Sequence, residues 1–203
     1  MKYKSLVTNY IGENCYIIFE EESKEIAVID PGGSEDTIFK FIHEFKGKVK
    51  YIILTHSHFD HVGALFEVYS RYKASVYLNS KEHHMIMKSG SELFNVENKQ
   101  AIKYEFIDEK TELSLGNVKI KCIDTPGHSP GGMCFYIDNI LVTGDTLFRA
   151  SVGRTDFIGG DTEALIRNIK EKLYILPEET IVLPGHGETS TIGYEKQNNP
   201  YTL

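Results

Sequence analysis

The stretch Thr55-His56-Ser57-His58-Phe59-Asp60-His61 places four side chains of metal-ligand type within six positions. Residues 51–54 precede it as a short apolar run rich in β-branched residues, which is typical of a buried strand. Apolar residues then recur at helical spacing over residues 62–69, so we expect a helix to begin near residue 62. The motif therefore lies where a strand ends and the chain turns into a helix.

Side chains alternate with period two in extended backbone, so His56 and His58 point to the same side and can meet one ion. Asp60 and His61 stand at the turn into the helix and can face a neighbouring ion. Imidazole and carboxylate without thiolate indicate Zn²⁺, with iron or manganese as chemical competitors. A metal-free cluster of this kind would leave several buried polar groups without partners, each at a cost of roughly 1 to 3 kcal/mol.

Three later strand-like runs end in a Gly- or Pro-containing turn and then a ligand-type residue. These turns are Pro126-Gly127-His128, Gly144-Asp145 and Pro184-Gly185-His186. In layered α/β folds the strand ends open onto one edge of the sheet, where ligands gather. The sequence therefore predicts seven ligands in one place: His56, His58, Asp60, His61, His128, Asp145 and His186.

Seven ligands exceed the three or four that one tetrahedral metal site takes, but they suit two metals that share a carboxylate. The natural division assigns one group to each metal, with Asp145 as the bridge: His56, His58 and His128 to the first, and Asp60, His61 and His186 to the second. A purely structural zinc site is disfavoured, because such sites close four ligands, commonly thiolates, around one ion.

Eight apolar runs predict strands, at residues 15–19, 26–29, 49–54, 75–78, 118–123, 133–137, 140–143 and 181–183. Helical spacing appears over residues 38–45, 62–69 and 165–173, the last with Asp161 or Thr162 as its N-cap. Residues 81–100 show no sustained period, and we expect a helix followed by a loop there. Strands interleaved with helices favour an α/β layered fold, and no linker divides residues 1–203, so we expect a single domain.

Charge and composition exclude several classes of function. The chain has 203 residues with 22 Lys and Arg against 29 Asp and Glu, a net charge of −7 with neutral histidines. This acidic balance argues against non-specific binding to nucleic acid or to anionic membranes. No apolar run approaches the ~20 residues of a membrane helix, and no signal peptide is evident. Three scattered cysteines, Cys15, Cys122 and Cys134, suit buried thiols in a reducing compartment, so we expect a cytoplasmic protein.

The order and spacing of T-H-S-H-F-D-H, P-G-H, G-D and P-G-H resemble the metallo-β-lactamase superfamily over nearly the whole chain. Residues 144–148 and 152–157, with the stretches 184–187, 193–195 and 199–201, resemble its small glyoxalase II-like (hydroxyacylglutathione hydrolase-like) members. The resemblance implies an αββα sandwich with the metals at one edge of the sheets. It also implies the same division of the seven ligands, with Asp60 and Asp145 as the catalytic carboxylates.

Departures from the glyoxalase II pattern limit what the resemblance implies. Larger glyoxalase II enzymes end in a helical domain that grips glutathione, whereas only residues 187–203 follow His186 here. Arg154 lies in the segment where those enzymes place another basic thiol-binding residue, so it is a candidate for binding a substrate carboxylate; a surface ion pair is the alternative. Lactamases of this superfamily commonly have Cys at the position of Asp145, which argues against antibiotic hydrolysis as the main role.

The leading hypothesis is a dinuclear metal-dependent hydrolase of a small-molecule acyl thioester, with a hydroxide bridging the two metals as nucleophile. Ser57 has no separate base to activate it, which disfavours a serine nucleophile. Two alternatives stay open. The run Gly153-Arg154-Thr155-Asp156-Phe157 also resembles the persulfide dioxygenases, which use a single iron. A metal-binding protein without turnover is the other, and the oligomeric state is left open.

Overall fold

Two six-stranded sheets face one another in the computed structural model, which describes residues 1–9, 11–88 and 96–203. The first sheet has the spatial order β1-β2-β3-β4-β5-β6, formed by Lys2–Val7, Asn14–Phe19, Glu25–Ile29, Lys48–Ile53, Val76–Leu78 and Tyr104–Phe106. The second has the order β14-β13-β10-β9-β8-β7, formed by Ser190–Thr191, Ile181–Pro184, Ile140–Gly144, Met133–Ile137, Val118–Asp124 and Glu112–Leu115. A two-stranded ribbon joins Leu147–Phe148 (β11) to Ser151–Val152 (β12).

Within the described residues, six helices lie on the outer side of the two sheets. They are α1 (Glu35–Phe45), α2 (Phe59–Val62), α3 (Leu65–Tyr72), α4 (Ser80–Lys88), α5 (Thr162–Asn168) and α6 (Ile192–Asn198). A 3₁₀ turn spans Lys99–Ala101, and a π-helical turn, Ile169–Leu173, continues α5. Among the helices that the structure describes, none is long and apolar enough to cross a bilayer.

Alternation along the inner strands builds three apolar layers. On β2, Ile17 packs with Ile38 of α1 and Leu65 of α3, whereas the adjacent Ile18 packs with Phe135 of the opposite sheet. A third cluster lies between the second sheet and the α5 and α6 side of the molecule. Strands that are buried on both faces read as continuous apolar runs, which is why the inner strands stood out in the sequence. The layers follow the order αββα, as the sequence predicted.

The helix expected from residue 62 is divided into α2 and α3. The chain breaks between them because the Ala64 amide donates to the Pro31 carbonyl at 2.9 Å, which ties this point to the loop after β3. As a result Asp60 and His61 lie inside the short helix α2 rather than in the turn before a helix. Asp161 is the N-cap of α5, as predicted, and its side chain accepts from the Ala164 amide at 2.9 Å.

Other sequence predictions have mixed outcomes. Cys15, Cys122 and Cys134 are buried free thiols, as expected. The helix predicted at the start of residues 81–100 is α4. The loop predicted after it falls largely on residues 89–95, which lie outside the described residues.

Candidate metal centre

All seven predicted ligands lie together, on the segments that follow strands β4, β8, β10 and β13. The first segment carries His56 and His58 before α2 and Asp60 and His61 within it, and the others carry His128, Asp145 and His186. β10 and β13 are parallel neighbours, so their ends meet at the same edge of the second sheet. The Met133 amide donates to the Thr55 carbonyl at 2.9 Å, which joins the ends of the two sheets at this point.

Three imidazoles form the first cluster, which consists of His56, His58 and His128. His128 Nε2 lies 2.9 Å from His58 Nδ1 and 3.2 Å from His56 Nε2. Burial, followed by the neighbouring rings, lowers the pKa of His58 to about 3, and burial also lowers the pKa of His56 well below its ordinary value. Neutral nitrogens that converge at this distance are the state that a metal ion requires of its histidine ligands.

One carboxylate and two imidazoles form the second cluster, which consists of Asp60, His61 and His186. Asp60 Oδ2 lies 3.1 Å from His186 Nε2 and 3.6 Å from His61 Nε2. Burial would raise the pKa of Asp60, but its hydrogen bond with His186 and the charge of His61 outweigh burial and lower the pKa. The carboxylate is therefore ionised at neutral pH.

Asp145 reaches both clusters through different oxygens. Its Oδ1 lies 3.3 Å from His61 Nε2, and its Oδ2 lies 3.5 Å from His128 Nε2. Burial would raise the pKa of Asp145, but the charges of the neighbouring histidines, that of His61 foremost, outweigh burial and hold the pKa below its ordinary range. An ionised carboxylate between two ligand groups fits the predicted bridging position.

In His61 and His128, the ring nitrogen that faces away from the clusters has a partner that orients the ring. His61 Nδ1 lies 2.9 Å from Asp30 Oδ2, and Asp30 also accepts from the Thr55 amide at 2.8 Å and the Thr55 hydroxyl at 2.6 Å. His128 Nδ1 lies 2.7 Å from the Arg154 carbonyl oxygen. When Nδ1 donates to such a partner, Nε2 is left as an acceptor that points at the metal position.

Sequence reasoning missed three buried carboxylates around the clusters: Glu13, Asp30 and Glu82. Glu13 Oε1 lies 3.9 Å from His61 Nδ1, and burial raises the pKa of Glu13 well above its ordinary value. Asp30 directly follows β3 and precedes a Pro-Gly-Gly turn, at a strand end like those of the ligands, which is a signal that could have found it. Glu82 lies between Lys81 and His83 on a helix and carries no comparable signal.

A cavity of about 400 Å³ opens over both clusters. Asp60, Asp145 and His186 contribute to its lining, and the apolar part of its wall comes from Ile11, Phe59, Phe148, Val152 and Phe157. A volume of this size suits a small-molecule ligand.

Arg154 and Ser57 have different places relative to this cavity. Arg154 lines it, with its guanidinium over the Phe157 ring at 4.0 Å and paired with both carboxylate oxygens of Asp156 at 2.6 Å. The exposed ion pair with Asp156 does not test whether Arg154 binds a substrate. Ser57 is fully buried, and its hydroxyl donates to the Glu82 carboxylate at 2.6 Å, so the expectation that it has no possible base beside it is wrong. A serine nucleophile is disfavoured instead because Ser57 does not line the cavity.

A family profile described as the metallo-beta-lactamase superfamily matches residues 10–186, which include all seven residues of the two clusters and the bridge. The chain belongs to the metallo-β-lactamase superfamily. The resemblance and the sandwich fold predicted from the sequence are thereby confirmed. Membership makes the chain a metallo-hydrolase family member whose His and Asp clusters fit divalent metal ions.

Relatives within the superfamily match nearly the whole chain. The chain is 35% identical to "Probable metallo-hydrolase YqgX" of Bacillus subtilis strain 168, over 99% of this chain and 97% of that protein. It is 34% identical to "Hydroxyacylglutathione hydrolase GloC" of Haemophilus influenzae, over 93% of this chain and 92% of that protein.

Two solved structures of the superfamily are similarly close. The structure described as the BLEG-1 B3 metallo-beta-lactamase has a TM-score of 0.88 and 32% identity, with 100% of both chains covered. The structure of TTHA1623 in a di-iron-bound form has a TM-score of 0.81 and 31% identity, with 98% of this chain and 99% of that chain covered.

Proposed function

We propose that this chain hydrolyses acyl thioesters with hydroxyacyl-type acyl groups, by means of two divalent metal ions. The observation that carries the proposal is the position of Asp145, whose two oxygens face the two clusters beside a cavity of small-molecule size. The similarity to a protein named as a hydroxyacylglutathione hydrolase supports the choice of a thioester.

In this proposal each cluster would hold one ion. His56, His58 and His128 would hold the first ion and Asp60, His61 and His186 the second, with Asp145 in reach of both. Bound divalent ions supply activation of water near neutral pH and polarisation of a carbonyl. The nitrogen and oxygen donor set favours zinc, while a relative solved in a di-iron-bound form keeps iron as a competitor.

The chain's own carboxylates act on the attacking water. The pKa values of Asp60 and Asp145 are both lowered, so both side chains are ionised at neutral pH and can accept hydrogen bonds at the cavity wall. In this proposal they orient the water, and the Asp60 oxygen that is not bound to the ion accepts its proton, as a general base does. The proton then passes to the thiolate that leaves, so the thioester and water give a carboxylic acid and a thiol. The apolar wall from Phe59, Phe148 and Phe157 excludes other water and packs against the substrate.

Arg154 is our candidate for the group that recognises the thiol carrier. It lines the same cavity, and a guanidinium binds a carboxylate through two parallel hydrogen bonds. Asp156 now occupies the Nε and Nη2 donors, so a carboxylate on the carrier that binds this edge of the guanidinium would have to replace Asp156.

Metal content measured together with a substrate panel tests the function. Protein purified without added metal is assayed for bound metals and for turnover of hydroxyacyl thioesters, a lactone, a β-lactam and a persulfide. We expect about two metals per chain and turnover of thioesters. About one iron per chain with oxygen uptake on the persulfide would replace the hydrolase with the oxygenase alternative. Two bound metals without turnover of any substrate would favour a metal-binding protein.

A further inference from the structure

Glu82 is a fully buried carboxylate on α4 that belongs to neither cluster. Its Oε2 accepts from the Ser57 amide at 2.9 Å and from the Ser57 hydroxyl at 2.6 Å. Its Oε1 accepts from the Gly131 amide at 2.7 Å. Both oxygens of a buried carboxylate are thus used, and they join two separate loops of the chain.

These two loops carry the three histidines of the first cluster. Ser57 stands between His56 and His58, and Gly131 follows three residues after His128. A side chain at position 131 would displace its neighbours, since its Cβ would lie 3.0 Å from Glu82 Cγ and 2.8 Å from Asn79 Oδ1. The sequence therefore leaves the space at position 131 through which Glu82 reaches the second loop.

The first cluster needs such a support because a metal ion requires the facing nitrogens to present their lone pairs to it. His58 Nδ1 and His128 Nε2 are 2.9 Å apart, so a proton on one of them can form a hydrogen bond between the rings before an ion binds. When that proton leaves, the two lone pairs face each other and the rings gain by moving apart. Hydrogen bonds to an ionised acceptor are about twice as strong as neutral ones and resist that movement. Glu82 acts on Ser57 and Gly131, so it restrains both loops at once.

We propose that Glu82 is a positioning residue that holds the first cluster in its metal-binding arrangement and thereby sets the metal affinity of that cluster. The second cluster depends on it less, because His61 has a separate buried support in Asp30 and His186 lies on another loop. This proposal concerns metal affinity, so it does not depend on which substrate the protein hydrolyses.

Two background variants separate the clusters for the test. His186→Ala removes a ligand of the second cluster and His58→Ala removes one of the first, so that each leaves one cluster complete. The Zn²⁺ affinity of each background is measured by competition with a chromogenic chelator, with and without Glu82→Gln. We expect Glu82→Gln to weaken Zn²⁺ binding about 10- to 100-fold with the first cluster complete and less than about threefold with the second complete.

Glu195 provides the matched control for loss of a buried carboxylate. It is equally buried and accepts from the Ala150 amide at 3.0 Å, the Asn199 side chain at 2.8 Å and the Ser190 hydroxyl. Glu195→Gln should lower the thermal midpoint as Glu82→Gln does and leave the Zn²⁺ affinity of the first cluster within about threefold.

Three outcomes would overturn the proposal: equal loss of affinity in both backgrounds, no loss in either, or the same loss at the first cluster from Glu195→Gln. If Glu82→Gln does not fold, Ser57→Ala takes its place, because it removes one of the three hydrogen bonds and keeps the carboxylate. We then expect about a tenfold loss confined to the first cluster, and an affinity within about threefold of the background would reject the proposal.

Discussion

The two clusters lie side by side but differ in charge. The first contains three buried histidines and no carboxylate of its own, and burial lowers the pKa of two of them. In the second, burial would also lower the pKa values of His61 and His186, but neighbouring carboxylates outweigh it and raise both. The second cluster is also more open, since the His186 side chain is 25% exposed. Equal sets of three ligands therefore give one site in which His56 and His58 are uncharged at neutral pH and one in which His61 and His186 must release protons to bind a metal.

The clusters also have different supports. Glu82 holds the two loops of the first cluster from behind, whereas Asp30 receives the His61 ring of the second. Asp145 is the group that the clusters share. We therefore expect substitution of Glu82 to affect the first cluster, substitution of Asp30 the second, and substitution of Asp145 both.

Asp145→Asn should have the largest effect, because it weakens both clusters at once. Loss of the charge removes the shared anionic ligand, and we expect kcat for a hydroxyacyl thioester to fall on the order of 10²- to 10³-fold. Metal content and thioester kinetics on the same preparation measure the effect. Asp161→Asn is the matched control, because asparagine is also a good N-cap and α5 should be retained. Thioester turnover that stays within about threefold of wild type would show that Asp145 does not join the clusters.

Asp30→Asn should act on the second cluster in preference to the first. The substitution removes the charged partner of His61 Nδ1, and loss of such a partner typically costs about 10- to 100-fold in metal affinity. In the His58→Ala background we expect a loss in that range, and in the His186→Ala background a loss below about threefold. Chelator competition measures both, as for Glu82→Gln. The same loss in both backgrounds would mean that Asp30 supports the two clusters through Thr55 rather than through His61.

Acid should remove metal from the second cluster before the first. The pKa values of His61 and His186 are raised, so protons compete with a metal there at pH values close to neutrality and above. The pKa of His58 is lowered to about 3, so its protonation begins only in strong acid. Each proton that a metal displaces reduces its affinity about tenfold per pH unit below the pKa of that group.

Metal content per chain, measured after equilibration in zinc buffers between pH 8 and pH 4, tests this order of loss. We expect loss of about one metal per chain within this range, from the second cluster, while the first cluster keeps its metal. Loss of both metals in one step, or a metal content that is unchanged down to about pH 4, would contradict the difference between the clusters.

The predicted strands were the inner ones of both sheets. All eight lie between two neighbours, whereas β1, β6, β7 and β14, which the sequence analysis missed, are the four sheet edges. Edge strands have an exposed side and carry mixed residues, as in Lys2–Val7, so no apolar run marks them. The ribbon β11–β12 was missed because two-residue strands are too short to show a period.

The ligands could be predicted from local sequence signals, whereas their support Glu82 could not. A ligand such as His58 or His128 stands in a dense motif or after a strand-end turn, and both are local signals. Glu82 has its role because the fold brings Ser57 and Gly131 to it from positions 25 and 49 residues away. No pattern within α4 records those contacts, so that support is visible only in three dimensions.

Substitution of the Arg154 side chain should affect substrate binding at the cavity rim and not the metal clusters. We expect the smallest effect on the kinetics here. Its carbonyl oxygen orients His128, while its side chain pairs with Asp156, so Arg154→Met changes the rim and keeps the contact with the first cluster. The pKa of Asp156 is lowered to about 2 by its hydrogen bond with Arg154, so this competitor is ionised throughout the assay range.

Asp156→Asn should lower KM for a thioester with a carboxylated carrier about two- to fivefold, because exposed ion pairs are weak. Arg154→Met should raise that KM, and neither variant should change the KM for an uncharged thioester or the Zn²⁺ content. If Asp156→Asn instead raises the KM, Asp156 orients Arg154 for the substrate rather than competing with it, and if both carriers respond equally, the rim does not read the carrier's charge.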